Sequence, residues 1–501
     1  MESHSSHLLH AALGSLVVLL AWLVIRRGNG ARVYPPGPPR RLFIGNLRDI
    51  PSGGYEWVAY REISKRCGSD IIYLTALGSK LLVLSSFEAA RDLLDRKGAI
   101  YSSRPRLVVK NELRGWNWSL ILMAYGKEFL AYRRAIQQEF AHPVVVASYR
   151  PIIVRESISL IRRLVQTPED MSKHVKQMAG AMIMMVTYGH QVTSAEDEFV
   201  ALAEAVRKND KEAPGSSVVD LIPILKYVPA WFPGAGFQRS ASHARKLAWN
   251  MRYVPFRALK AELASGTCPD SMVSRLLQSD PPLEGVDRDE FAMNSGGVVY
   301  SAAILNFVLA MTLYPEVQRR AQKELDDVVG RDRLPTFEDR DRLPYIANIV
   351  KETFRWKTVT PLGVPHATTE EDMYRTMFIP KGTTVVANIF AMLQDEFVYK
   401  NPTEFVPERY ESSPDGSTGE PDPARVAFGF GRRICPGRFF ADESVWLTIA
   451  LMLHTFNISN PTGVTSEVEW SSGLVSMPSG FPFKHSPRFP GVEDLVTGLE
   501  Q

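Results

Sequence analysis

The stretch Phe428-Gly429-Phe430-Gly431-Arg432-Arg433-Ile434-Cys435-Pro436-Gly437 contains one of the three cysteines in a chain of 501 residues. Its glycines have no Cβ, so the backbone can turn sharply and approach a flat group closely. Arginines stand on both sides of the sulfur, and the run from Arg438 onward predicts a helix whose N-terminal dipole would lower the thiol pKa. The stretch therefore predicts a loop that presents a thiolate, which suits a haem iron.

An isolated cysteine is more often an ordinary buried thiol. Here, however, the full pattern F-x-x-G-x-R-x-C-x-G is satisfied by Phe428, Gly431, Arg433, Cys435 and Gly437. The pattern resembles the haem-binding loop of the cytochrome P450 family. The resemblance implies that Cys435 is the axial ligand of the iron of haem b and that the other four residues help to bind this cofactor.

The chain as a whole fits one large domain. It is 45% apolar, and its net charge of +3 is too small to indicate a nucleic-acid partner. Three cysteines give no disulfide framework, which fits a reducing compartment. No linker or internal repeat divides the chain. The resemblance implies the cytochrome P450 fold, mainly α with small β-sheets, behind a single N-terminal transmembrane helix.

Residues 8–25 carry no formally charged side chain and, at 18 residues, are just long enough to cross a bilayer. Arg26, Arg27 and Arg32 follow, which places the downstream side in the cytosol. A cleaved signal peptide would need a basic start and a small-residue cleavage site, and neither is present. We therefore expect a single-pass anchor in the endoplasmic reticulum membrane, with the catalytic domain cytosolic.

The expected domains are a short lumenal N-terminus (1–7), the transmembrane anchor (8–25), a basic and proline-rich hinge (26–40) and a cytosolic haem-thiolate catalytic domain (41–501). Further along, Asp220–Pro233 is apolar, aromatic and broken by prolines. Two interpretations stand for this segment: a loop that dips into the bilayer, as in anchored relatives, or a buried loop.

Local patterns predict a β-hairpin over residues 71–85, formed by aliphatic and β-branched runs around a Gly-Ser turn at Gly78. Ser86 then precedes residues with helical spacing and is predicted to cap that helix. By resemblance, residues 114–118 form part of the loop that covers the substrate pocket; they are called the cover segment below.

The third helix of the family usually carries Trp-x-x-x-Arg, and both side chains reach a haem propionate. In this chain Phe129 replaces the tryptophan and Arg133 remains. Phe129 lacks the N–H donor and is expected only to pack in the core, whereas Arg133 is expected to bind a propionate. By resemblance, residues 359–364 line the pocket and His366 reaches a propionate, although a lone histidine is more often structural.

Glu352 and Arg355 are three residues apart and share one face of a predicted helix. Such a pair alone is usually a surface ion pair of little value. Together with Arg409 it resembles the Glu-Arg-Arg network of the family, which supports the haem loop. The implied role is structural.

A long buried helix is predicted from residue 290 to 313, and alignment places Ser295-Gly296-Gly297-Val298-Val299-Tyr300 over the haem. The family pattern there is Ala/Gly-Gly-x-Asp/Glu-Thr-Thr. The glycine of this pattern is present, and by resemblance it loosens the helix so that dioxygen fits. Ser295, Gly296 and Gly297 are the candidate catalytic residues, with Ser295 as a route for protons. Val298 and Val299 stand where the acid and the alcohol are expected.

Two valines cannot relay the protons that cleavage of dioxygen needs, and such assistance is typically worth roughly 10²–10⁴-fold in rate. Three interpretations follow. Protons are delivered through Ser295, Asn294, Ser301 or a substrate hydroxyl; or the enzyme rearranges an already oxidised substrate without dioxygen; or the alignment is shifted by one turn, which makes Ser301 the alcohol.

The resemblance covers residues 33–490, and residues 315–330 and 343–356 are most similar to fungal microsomal members that serve secondary metabolism. It implies a monooxygenase that receives NADPH electrons from a flavoprotein reductase and oxidises a lipophilic substrate, such as a terpenoid or polyketide. The two other functions considered are a haem-thiolate isomerase or dehydratase that needs no dioxygen, and a non-catalytic membrane protein that binds haem or lipid.

Overall fold

A computed structural model describes residues 32–194, 196–209, 216–279, 286–296, 303–412, 418–461 and 468–498. The predicted anchor (8–25), Gly297, Val298, Val299 and Ser301 lie outside these residues. No helix among the residues described is both long and apolar enough to cross a bilayer.

The described part is mainly helical with small sheets, as expected. Its α-helices, in chain order, are α1 (Glu56–Arg66), α2 (Phe87–Ala90), α3 (Gly98–Tyr101), α4 (Lys127–Phe140), α5 (Pro143–Ser148), α6 (Arg150–Gln166), α7 (Met171–Tyr188), α8 (Glu198–Lys208), α9 (Ser216–Leu221), α10 (Gly236–Ser265), α11 (Met272–Gln278), α12 (Arg288–Ser295), α13 (Ala303–Leu313), α14 (Pro315–Val328), α15 (Pro344–Trp356), α16 (Ile389–Leu393), α17 (Ala424–Ala427), α18 (Arg438–Thr455) and α19 (Val492–Thr497). Turns of π-helix span Arg91–Arg96 and Val108–Leu113. Short 3₁₀ turns span Pro168–Asp170, Pro223–Tyr227, Phe337–Arg342, Pro407–Tyr410 and Gly431–Arg433.

The strands form one sheet of four and three pairs. They are β1 (Ile71–Ala76), β2 (Ser79–Leu84), β3 (His366–Ala367), β4 (Asp372–Tyr374), β5 (Met377–Ile379), β6 (Thr384–Ala387), β7 (Phe456–Ser459), β8 (Glu469–Trp470), β9 (Pro478–Ser479) and β10 (Lys484–Pro487). The larger sheet has the order β1-β2-β6-β3, in which only the β2–β6 pair is parallel. The other pairs are β7–β10, β4–β5 and β8–β9.

The predicted hairpin is present as β1 and β2, but its turn lies one residue earlier than expected. Leu77 (φ +48°) and Gly78 (φ +88°) form the turn, and Ser79 already pairs with Ala76. Two successive positive φ angles are typical of the type I′ turn, whose twist matches that of the strands. Ser86 caps α2 as predicted, since its hydroxyl accepts a hydrogen bond from the Ala89 amide at 3.1 Å.

The core is organised around α18, which is apolar on nearly all sides and buried from Glu443 to Thr455. A helix that is hydrophobic all round must lie inside the protein. It packs against α6, α14 and α15, while α13, buried from Ala303 to Met311, packs against it from another side. Because α18 begins at Arg438, this rigid element fixes the position of the preceding loop that carries Cys435.

The segment Asp220–Pro233 lies on the surface. Trp231 is 79% exposed, Tyr227 71% and Ile224 68%. The interpretation of this segment as a buried loop is therefore wrong: only Leu225 and Val228 pack against a described core cluster, while its aromatic side chains are exposed.

Acidification should weaken the fold through His454. This residue is fully buried near the end of α18, and burial, together with Arg488, lowers its pKa to about 4. Because the unfolded chain binds a proton near pH 6.5 and the folded chain does not, stability is lost as the pH falls below about 6.5. The His454 contribution between pH 7.5 and 5.5 is roughly 1 kcal/mol.

Urea unfolding of the holoenzyme at these two pH values checks this expectation. His454→Leu should reduce the loss of unfolding free energy at pH 5.5, whereas the same substitution at the exposed His142 should leave it unchanged. Equal pH dependence in the parent and His454→Leu would show that His454 does not titrate on unfolding.

Candidate functional site

The loop that carries Cys435 is packed tightly against the rest of the protein. The Cys435 amide donates to the Phe428 carbonyl at 2.8 Å, and the Phe428 ring meets Phe354 of α15 edge-on at 5.1 Å. Gly431 has φ +53°, and a Cβ there would overlap the Leu94 carbonyl and lie 2.8 Å from Asp95 Cα. Gly431 is therefore required by this close approach to the π-helical turn Arg91–Arg96.

The expected lowering of the Cys435 pKa was wrong for the polypeptide alone. Burial raises the pKa of the Cys435 thiol, and this effect outweighs the opposing influence of the Gly437 backbone N–H and of Arg133 and Arg438. The sequence showed the arginines but not the depth of the sulfur. A coordinated metal ion deprotonates a thiol outright, so the arginines and the amide assist a thiolate that an iron centre would create.

Arg433 belongs to the loop 428–437 that carries Cys435, called the sulfur loop below, and every nitrogen of its guanidinium donates a hydrogen bond. It donates to three backbone carbonyls, those of Ser102 (2.8 Å), Leu120 (3.1 Å) and Met123 (2.7 Å). Its Cζ lies 3.5 Å from the centre of the Phe129 ring. Phe129 is buried as expected, but it also supplies the aromatic face on which Arg433 rests.

Arg104 is a member of this site that sequence reasoning did not single out. It donates to the backbone carbonyls of Ile121 (2.7 Å), Val364 (2.8 Å) and Pro365 (2.8 Å). It thereby joins the chain before the cover segment to the predicted pocket lining. Its position in Tyr101-Ser102-Ser103-Arg104-Pro105, next to the predicted pocket cover, was the available signal.

Arg133 and His366 complete the basic cluster, which consists of Arg104, Arg133, Arg433 and His366. Arg133, on α4, donates to the Ile434 carbonyl of the sulfur loop. His366 hydrogen-bonds the Tyr101 carbonyl through Nδ1 at 2.8 Å. Burial, with the charges of Arg104 and Arg433, lowers the His366 pKa to about 3, so the ring is neutral.

The basic cluster has no acidic partner among the residues described. None of its three arginines forms an ion pair there, and the Arg133 Nε and Ser102 Oγ atoms are buried without a hydrogen-bond partner. Burial and mutual repulsion lower the pKa of Arg433 to about 9 and that of Arg104 well below its usual range. An uncompensated buried charge costs several kcal/mol, so the site favours a ligand with carboxylates.

Haem, which carries two propionates, fits these residues. Gly437 is a second observation. Its φ of −84° is open to any residue, and no described atom lies within 4 Å of the position that a Cβ would take. Neither the backbone nor a described neighbour therefore requires glycine at this position. A flat group that lies on the loop would occupy this space and would explain why the residue is glycine. Cys435 would bind the iron, and Arg104, Arg133 and Arg433 would face the propionates.

Glu352, Arg355 and Arg409 lie together in the interior. Arg355 is fully buried and donates to both Glu352 oxygens at 2.7 and 2.8 Å, while Arg409 donates to one of them at 3.2 Å. Glu352 also accepts from the Val406 amide and the Tyr410 hydroxyl, each at 2.9 Å. The remaining Arg355 donors bind the carbonyls of Leu393, Pro402 and Glu404.

Ser295 and Gly296 end helix α12. The Ser295 hydroxyl donates to the Phe291 carbonyl at 2.8 Å within this helix. A Cβ at Gly296 would lie 2.7 Å from Tyr188 Cζ, so glycine is needed here for close packing against Tyr188. Asn294, another candidate for proton delivery, donates to the Tyr132 hydroxyl (2.9 Å) and accepts from Arg252 (2.8 Å).

Comparison with known proteins gives consistent matches. The sequence model of the family Cytochrome P450 matches residues 35–485. The chain is 38% identical to "Cytochrome P450 monooxygenase COX2" of Coprinopsis cinerea, over 97% of this chain and 95% of that protein. It is 37% identical to "Cytochrome P450 monooxygenase claR" of Ampulloclitocybe clavipes (97% and 91%). It is 35% identical to "Tryptamine 4-monooxygenase" of Psilocybe cyanescens (96% and 100%).

Proposed function

This chain belongs to the cytochrome P450 family and is a monooxygenase, and on that premise we propose that it oxidises a lipophilic small molecule in fungal secondary metabolism. The observation that carries the proposal is the basic cluster, in which three arginines lie near Cys435 without a carboxylate partner among the residues described. The predicted pocket lining is mainly apolar, with Val359, Leu362 and Val364, which favours a terpenoid or polyketide over a polar metabolite.

The residues of the site divide the work of holding haem. Cys435 would bind the iron, and the Gly437 N–H and Arg133 would favour its thiolate. Arg104, Arg133 and Arg433 are proposed to neutralise the propionates. Haem ligated by a thiolate supplies the oxidising chemistry, which places one atom of dioxygen on an unactivated carbon. The protein would exclude water from the site and orient the substrate.

Electrons are proposed to come from NADPH through a flavoprotein reductase. Arg432 is exposed on the sulfur loop and Arg438 follows it, so both are candidates for an electrostatic contact with an acidic partner. Residues 8–25 are proposed to anchor the protein in the endoplasmic reticulum membrane, with the catalytic domain cytosolic. The exposed Ile224, Tyr227 and Trp231 support a second contact with the bilayer.

Expression with a reductase, followed by incubation with terpenoids and polyketides under air and under nitrogen, tests the proposal. We expect a product that contains one atom of labelled dioxygen and requires NADPH. Product formation under nitrogen without NADPH would instead establish an isomerase or dehydratase, the alternative that Val298 and Val299 suggest. Failure of every lipophilic candidate, with turnover of a polar one, would overturn the proposed substrate class.

Restoring the acid–alcohol pair should improve coupling. Val298→Asp combined with Val299→Thr is expected to lower the hydrogen peroxide released per NADPH consumed, because the new side chains can hold water and relay protons. The measurement is peroxide and NADPH consumption with substrate present. The conservative double change Val298→Leu and Val299→Ile is the control. Negligible peroxide release by the parent would show that another relay already exists.

A further inference from the structure

A series of aromatic and cationic side chains joins the cover segment to α10. Trp116 and Trp118 stack at 5.4 Å, and Lys110, just before the segment, lies 5.5 Å from the Trp116 ring. Arg252, in the middle of α10, lies 5.3 Å from the Trp118 ring and 4.9 Å from the Trp249 ring. Arg252 therefore stands between the cover segment and the body of the protein.

Arg252 is a buried cation with too few partners. Its side chain is 7% exposed, its Nη1 donates to Asn294 Oδ1 at 2.8 Å, and its buried Nε has no hydrogen-bond partner. It forms no ion pair with the residues described: the Glu290 charge raises its pKa, against the lowering by burial, but Glu290 makes no hydrogen bond with it. A cation–π contact stabilises a cation by less than the burial of an unpaired charge costs. The two indole rings therefore do not compensate the charge.

Tyr188 is a second buried donor, and it lies against the end of α12. It is 5% exposed, and its hydroxyl has no hydrogen-bond partner. The ring lies against Gly296, next but one to the Asn294 that binds Arg252. The charge of Arg252 acts to lower the pKa of the phenol. Burial raises the pKa of Tyr188 above its usual range, so the hydroxyl remains a donor.

Two orphaned donors, one of them cationic, are complementary to a carboxylate. A carboxylate accepts several charge-assisted hydrogen bonds and would neutralise the guanidinium. We propose that Arg252 and Tyr188 bind an acidic group of the substrate, so that the substrate is a lipophilic carboxylic acid. This inference rests on the proposed function, because it requires that the substrate of that reaction lies between the cover segment and α12.

The test is equilibrium dialysis of the haem-loaded enzyme against two lipophilic acids and their methyl esters: dodecanoic acid and abietic acid. We expect the enzyme to bind at least one acid roughly 10- to 100-fold more tightly than its ester. Arg252→Lys keeps the charge but loses the planar guanidinium, and should remove most of that preference. Ester affinity should change little.

The variant Tyr188→Phe distinguishes a role of the hydroxyl in binding the acid from a role in stabilising the fold. Removal of a hydroxyl that has no partner should leave the urea midpoint unchanged or raise it, while affinity for the acid falls several-fold and affinity for the ester does not. Arg245→Lys is the matched control. Arg245 also lies on α10 and also holds the chain around the cover segment, through the Glu112 carbonyl and Gly115, but none of its nitrogens is both buried and unpaired.

The proposal fails if neither acid binds better than its ester, or if Arg252→Lys and Arg245→Lys weaken acid and ester alike, because a purely structural contact would give that result. Dialysis does not depend on turnover. Loss of the proposed monooxygenase function would appear separately, as a missing haem-thiolate spectrum or missing NADPH-dependent product.

Discussion

Cys435→Ser is expected to abolish the absorption band that is typical of a thiolate-ligated haem after reduction and addition of carbon monoxide. Serine keeps the size of the side chain, but its hydroxyl does not replace a thiolate as the strong electron donor to iron. Since that donation favours cleavage of dioxygen, monooxygenase activity should fall below about 1% of the parent value. The measurements are the reduced carbon monoxide spectrum, the haem content and NADPH-dependent product formation.

Cys268→Ser is the control for this change. Cys268 is partly exposed, lies outside the basic cluster and donates to the Pro269 carbonyl, so its variant should retain the parent spectrum and activity. An unchanged spectrum in Cys435→Ser would exclude Cys435 as the ligand. A histidine-type spectrum in the parent protein would exclude thiolate ligation altogether.

Glu352→Gln is expected to prevent haem incorporation rather than only to slow turnover. Glu352 is fully buried and compensates the charges of Arg355 and Arg409. An amide removes that charge and turns one acceptor into a donor that faces two guanidinium groups. Breaking a buried pair in this way costs about 3–5 kcal/mol, which is a large part of the 5–15 kcal/mol that typically separates folded from unfolded chains.

Haem content per protein and the urea midpoint measure this effect. Glu408→Gln is the matched control, because Glu408 pairs with Arg320 on the surface, where both side chains are more than one-third exposed, and such pairs are worth at most about 1 kcal/mol. Glu352→Asp, which keeps the charge, should recover part of the haem content. Full incorporation by Glu352→Gln would show that the network is dispensable.

Much of the fold followed from the sequence, because local patterns and short motifs dictate it. The β1–β2 hairpin and the Ser86 cap depend on neighbouring residues, and only the turn register was missed, since Leu77 adopts a positive φ that is unusual for leucine. The Glu352 network was also accessible, because its three members stand in a spacing that is typical of the family. The exposed aromatic loop was left as two alternatives, since hydrophobicity alone does not reveal what covers it.

The parts that the sequence did not reveal depend on distant contacts. Arg104 was overlooked because its partners, the carbonyls of Ile121, Val364 and Pro365, are backbone groups that carry no sequence signal. Arg252 was overlooked because an arginine in a long amphipathic helix normally faces solvent. The direction of the Cys435 pKa was wrong because neighbouring charges are visible in the sequence, whereas the depth of burial is not.

The wide spread of the basic cluster along the chain has a consequence for biosynthesis. Arg104 and Arg133 are made early, whereas His366 and Arg433 are made late, and Cys435 follows only two residues after Arg433. A polypeptide still on the ribosome therefore lacks the last members of the cluster until most of the catalytic domain has left the exit tunnel. Contacts this distant in sequence form slowly, so haem uptake should be a late event. Haem uptake should therefore distinguish complete chains from prematurely terminated ones.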